Sequence, residues 1–159
     1  MTRLHFMVAV AGFCCASHGV LAADAGLVTK QSNHSVAETI QRFEAAVNAS
    51  AANGWMVFTE IDHAAAAQKA GLQMRPRTVV VFGNPKLGTP NMQQAATLAI
   101  DVPPKALVWE DDQGKVWLTY NSSEYLQNVI YPRHGLPSNP EAAKNTAAVL
   151  EKFADSATQ

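Results

Sequence analysis

The sequence predicts an α+β domain, an antiparallel sheet with helices packed on one face, in the order β-α-β-α-β-α-β-β-α-α. Three observations predict it. Short apolar or alternating runs recur between helical patterns, the run "KALVWEDDQGKVWLTYN" reads as a hairpin and so demands antiparallel pairing, and no repeat or low-complexity linker interrupts the series. With 159 residues, 48% hydrophobic and 16% charged, the chain has the size and composition of one domain that buries a core.

The N-terminal stretch "MTRLHFMVAVAGFCCASHGVLA" has the pattern of a secretory signal. Arg3 supplies the positive start, Phe6 to Cys15 the apolar centre, and Val20-Leu21-Ala22 a small-residue cleavage site. The apolar run is shorter than the roughly 20 residues of a spanning helix. Residues 1–22 are therefore expected to be removed, leaving residues 23–159 as a single periplasmic or secreted domain with no membrane contact. Both cysteines, Cys14 and Cys15, fall in this segment, and bulky Phe13 stands where a lipoprotein signal wants a small residue. Disulfides, thiol chemistry and thiolate metal sites are thereby excluded from the mature chain. The 12 basic residues, of which Arg3 leaves with the signal, face 13 acidic ones and form no cluster, which argues against nucleic acid and anionic membranes as partners.

"LVTKQ" reads as a first strand. Ser35-x-x-Glu38 is a capping box, and it opens an apolar-periodic helix through Val36, Ile40, Phe43 and Val47 that stops near Asn53-Gly54. "WMVFTEID" suits a second strand. Asp62 then caps the Ala-rich helix "HAAAAQKAGL", which ends at Gly71. "RTVVVFG" is read as a central strand buried on both faces. The loop "GNPKLGTP" follows, and Thr89-Pro90, as N-cap and first helical residue, are expected to open a helix over "NMQQAATLAI" that Pro103-Pro104 end. The hairpin pairs Lys105–Glu110 with Lys115–Tyr120. Asn121-x-x-Glu124 is read as capping a short helix that ends before Pro132, and Asn139-Pro140 as opening a last helix, 140–154, through Val149, Leu150 and Phe153.

The candidate chemistry centres on "GNPKLGTP". Gly83 and Gly88 have the spacing of a phosphate-binding P-loop, but Thr89-Pro90 stand where that motif needs Lys and then Ser or Thr. What remains is a strand end, a glycine turn, Asn84, Lys86 and a helix N-terminus suited to a small polar or anionic ligand, set against a plain turn stiffened by Pro85. His63 follows Asp62 at the start of a helix, where the local dipole disfavours a second ring proton. His34, His63 and His134 share no ligand spacing, so no metal and no cofactor are expected. No Gly-x-Ser-x-Gly turn marks a nucleophile, and "YPRHG" reads as a structural helix end. Trp109, Trp117 and Tyr120 read as sheet-stabilising residues.

From Gly54 to Tyr120, the motifs "IDHAAAAQKAGL", "VVVFGNPKLGTPNMQ" and "PPKALVWEDDQGKVWLTY" together make the chain resemble the small bacterial domain-of-unknown-function family 302. The resemblance implies the α+β fold with an antiparallel sheet and a homodimer. It brings no established reaction, so no catalytic residue is carried over. It covers residues 27–131, and the helix after "YPRHG" is only loosely similar to the family.

The leading expectation is a non-enzymatic domain that binds a small polar or anionic ligand, with His63, Asn84 and Lys86 converging from two strand-to-helix junctions beside Asp62 and Thr89. Gly83, Pro85 and Gly88 would shape the loop. Two alternatives stand beside it: an enzyme with His63 as general base and Lys86 as anion stabiliser, and a dimerisation module whose exposed hairpin pairs with a second copy.

Overall fold

A computed structural model of the chain describes residues 26–159. The expected signal, 1–22, lies outside the described residues. The strands are β1 (Leu27–Ser32), β2 (Met56–Asp62), β3 (Arg77–Gly83), β4 (Lys105–Glu110) and β5 (Val116–Asn121), close to the runs read from the sequence. They form one antiparallel sheet in the order β1-β5-β4-β3-β2. The helices are α1 (Val36–Asn48), α2 (His63–Lys69), α3 (Pro85–Gln94), α4 (Ser123–Tyr125), α5 (Tyr131–Arg133) and α6 (Pro140–Thr158). A 3-10 turn, Ala96–Ile100, follows α3, and a π-helical turn, Leu126–Ile130, joins α4 to α5. The fold is the α+β arrangement expected.

Three of the caps form where the sequence places them. The side chains of Ser35, Asp62 and Asn139 accept the backbone N–H groups of Glu38, Ala65 and Ala142. Each satisfies an amide that the first helical turn leaves without a partner. Gly54 and Gly71 both take the left-handed backbone, at φ 94° and 76°, that favours a residue without a Cβ.

Helices α1 and α6 pack side by side on one sheet face. Alternation along the strands sends Val80, Phe82, Ala106, Val108, Leu118 and Tyr120 toward them, to meet Phe43, Val47, Leu150 and Phe153. At the β2 side of this core Phe82 meets Phe43 edge-on at 5.0 Å, and Trp55 meets Phe153 at 5.3 Å. A second, smaller core of Leu98, Leu126, Ile130 and Leu136 binds the 3-10 turn to the helical segment after β5.

Four local expectations are corrected. β3 is buried on one face only: Thr78, Val80 and Phe82 are buried beneath α1 and α6, whereas Val79 and Val81 on the opposite face stay partly exposed. The helix after β3 begins at Pro85, not at Pro90, since Asn84-Pro85 is itself an N-cap followed by a proline at the first helical position. Ser122, not Asn121, caps α4, because Asn121 is still paired in β5 with Leu27. Helical structure also runs through Pro132. There the Tyr131 N–H reaches back five residues to the Leu126 carbonyl, and this wider turn accommodates a proline that would strain a tight one.

Candidate functional site

The "GNPKLGTP" segment is the end of β3 and the start of α3, and it forms one wall of a cavity of about 430 Å³. Asn84 sets the geometry there. Its Oδ1 accepts the Lys86 N–H at 3.0 Å, and its Nδ2 donates to the Asn53 carbonyl at 2.9 Å, so the β3–α3 junction is tied to the connection between α1 and β2. A Cβ on Gly54 would lie 2.8 Å from that same Oδ1, which explains a glycine at this close approach. A Cβ on Gly83 would lie 3.3 Å from both Phe58 and Pro103, so this glycine lets two cavity walls meet.

The opposite walls come from far along the chain. Trp55 directly precedes β2 and Phe58 lies near its start, Val102-Pro103-Pro104 lead into β4, Met92 lies on α3, and Leu126 opens the π turn that Tyr131 follows. The lining is apolar apart from Asn84, Thr89, Tyr131 and Thr146. Burial raises the Tyr131 phenol above its ordinary range, although its oxygen accepts a hydrogen bond from Asn91 Nδ2 at 3.4 Å. The phenol therefore stays protonated, with its own hydrogen to give.

The expected site residues divide into two groups. Gly83, Asn84, Pro85, Gly88 and Thr89 line the cavity. Lys86, on the same turn, is exposed and is not part of the wall. Asp62 and His63 stand at the other end of β3. Asp62 pairs with Thr78, five residues from Gly83, which at about 3.4 Å per residue separates the two ends by about 17 Å. His63 and Lys86 do not converge, and the reading that made them base and anion stabiliser of one small substrate falls with that separation. Asp62 lines an open groove with Glu44, Glu60 and Glu110. There burial, followed by the charge of Glu60 and a hydrogen bond with it, raises the Glu44 carboxyl above the usual range.

A family model, "Domain of unknown function DUF302", matches residues 28–157. The chain belongs to the DUF302 family. The match runs through nearly all of α6, so the last helix, expected to be only loosely similar, is part of the family domain. Its burial agrees with this: Leu150, Phe153, Ala154 and Ala157 sit in the main core of this chain. A crystal structure titled uncharacterized conserved protein DUF302 from Bacillus stearothermophilus shares the fold, with a TM-score of 0.66 and 17% identity over 83% of this chain and 98% of that one. Two relatives are named fluoride-specific ion channel FluC 1, from Brucella suis biovar 1 (strain 1330) and Brucella abortus biovar 1 (strain 9-941). Each is 46% identical over 120 residues, 76% of this chain but only 44% and 42% of the relatives' lengths. This DUF302 domain thus spans less than half of either relative. Among its described residues no helix is long and apolar enough to cross a membrane.

Sequence reasoning found the strand-to-helix wall of the cavity and missed the rest. Trp55, Tyr131 and Pro103 are brought together only by the tertiary fold, and no local pattern announces them. Also missed was a hydrogen-bonded group of Thr97, Asp101 and His134, whose members are separated by up to 37 residues.

Proposed function

We propose that this DUF302 domain binds a small, mostly apolar molecule carrying one hydrogen-bonding group, in the cavity between α3, the start of β2 and the π turn. The apolar lining around a space of about 430 Å³ carries the proposal, since small-molecule sites are commonly concave, of this size, and apolar with a few polar groups. The Tyr131, Thr89 and Thr146 hydroxyls supply those groups. This replaces the polar or anionic ligand expected from Lys86, whose side chain lies outside the wall. Asn84 serves the site by capping α3, as its amide is engaged at both ends.

The test is thermal denaturation with a series of small aliphatic and aromatic alcohols. A ligand at a hundredfold excess over Kd stabilises by about 2.7 kcal/mol. The expected rise in Tm disappears in Gly88→Leu, whose side chain grows into the cavity past Met92 Cε at 3.7 Å, and persists in His63→Ala and Lys86→Ala. A rise that survives Gly88→Leu refutes the site.

Two further properties are proposed with it. The domain acts in the periplasm or outside the cell, which the signal-like residues 1–22 support and cell fractionation tests. It also pairs as a homodimer through the sheet face that α1 and α6 leave open, where Trp109 and Trp117 stack at 6.2 Å beside Leu107, Val79 and Ile61.

A second reading rests on the Brucella relatives, in which a stretch 46% identical to this one is part of a longer chain named as a fluoride channel. On this reading the domain works beside such a channel. Fluoride tolerance of cells lacking this protein should then fall, and unchanged tolerance removes the reading.

A further inference from the structure

Thr97, in the 3-10 turn after α3, Asp101 at the end of that turn, and His134 after α5 form a continuous hydrogen-bonded line. Thr97 Oγ1 is 2.9 Å from His134 Nδ1, and His134 Nε2 is 2.6 Å from Asp101 Oδ2. The imidazole is 5% exposed, whereas Thr97 is open to solvent. Asp101 is kept below the ordinary carboxylate range, first by its hydrogen bond with His134 and then by the neighbouring charges of Arg133 and Lys105. An ionised carboxylate only accepts, so Nε2 carries the ring hydrogen. In the neutral ring Nδ1 then offers its lone pair, and the Thr97 hydroxyl is the donor.

Hydroxyl, imidazole and carboxylate therefore stand in the order in which a base relieves a nucleophile of its proton while an acid group fixes the ring. A structural tie explains a buried ring bonded at both nitrogens. It does not require the hydroxyl end of the line to lie on an exposed residue, as it does at Thr97. Arg133 Nη1, 3.4 Å from Asp101 Oδ2, helps hold the carboxylate ionised, so that the ring and not Asp101 keeps the proton. None of the three residues lines the apolar cavity, so this group is separate from the ligand site.

We propose that Thr97 is an activated nucleophile toward small acyl esters, with His134 as its general base and Asp101 as the residue that positions the ring. Thr97 Oγ1 bonds to the ester carbonyl carbon as its proton passes to His134 Nδ1. The tetrahedral adduct then breaks its bond to the leaving oxygen, which takes that proton, and the acyl group remains on Thr97. Water repeats the sequence and releases the acid.

The experiment treats the full-length chain with p-nitrophenyl acetate, quenches it in acid at early times, and locates acetyl groups by peptide mass spectrometry. Acetyl is expected on Thr97, retained in Thr97→Ser and absent in Thr97→Val. General-base assistance supplies about 10²–10⁴ in rate, so His134→Gln should slow labelling of Thr97 about a hundredfold or more. Asp101→Asn should slow it as well and Asp101→Glu recover part of the rate, a rescue that a merely structural role would not produce. Should His134→Gln fail to fold, that Asp101 pair decides. Acetyl confined to lysines, or Thr97 labelled equally fast without the histidine or without the carboxylate, overturns the proposal.

Discussion

At the residue scale, opposite pKa shifts give the domain two opposite responses to pH. Glu44 holds its proton more tightly folded than unfolded, because burial and the neighbouring Glu60 disfavour its charge. Its contribution to stability is therefore greatest in acid and declines as pH rises through its raised value. Glu44→Gln should stabilise the protein near neutral pH and flatten that decline, as read by urea denaturation at mildly acidic and neutral pH. Asp111 behaves in reverse. Its carboxylate accepts from Trp117 Nε1 at 2.8 Å, its largest influence, and from the Lys115 and Gln113 amides, so its pKa is lowered. Its stabilisation is present above the ordinary Asp range and is lost as pH falls through the lowered value. Asp111→Asn should therefore weaken the protein at neutral pH and reduce its sensitivity to acid. All three partners of Asp111 lie within six residues, and the hairpin turn they close was legible. The Glu44–Glu60 contact was not, since it needs α1 laid across β2.

At the element scale, the start of α3 separates two caps that look alike in sequence. Asn84-Pro85 and Thr89-Pro90 both offer a capping side chain followed by proline, and nothing within the segment ranks them. The deciding contact lies 31 residues away, where the Asn84 amide finds the Asn53 carbonyl beside a glycine that alone leaves room for it. Asn84→Ala should cost about 1 kcal/mol from the lost cap alone, while Thr89→Ala, already inside the helix, should leave stability within about 0.5 kcal/mol. Equal losses in chemical denaturation would contradict this assignment. By contrast, Ser35, Asp62 and Asn139 were legible because each cap and its amide sit within one turn.

At the scale of the whole molecule, α1 and α6 cover one face of the sheet, and among the described residues the side chains of the opposite face stay partly exposed. Phe153 joins the two covering helices and the sheet through edge-on contacts with Phe43, Phe82 and Trp55. Phe153→Ala should cost about 3–5 kcal/mol and lower Tm accordingly. On the open face, Leu107→Glu should leave the monomer folded and dissociate the proposed dimer, measured by sedimentation; an unchanged association state would remove that face as the interface. Strand order is a further property that periodicity could not convey, because alternation shows which side chains share a face and not which strand lies beside which. The first strand pairs with the last, Val28 against Tyr120, and the Asn33 N–H donates to the Thr158 carbonyl at the far end of α6. A chain emerging from the ribosome therefore carries β1 without its neighbour until β5 has been made, and without the Thr158 carbonyl until α6 is finished. Closure of the domain must wait for α6, which leaves an open polypeptide through most of its synthesis and makes late capture by a chaperone or a translocation channel compatible with the fold.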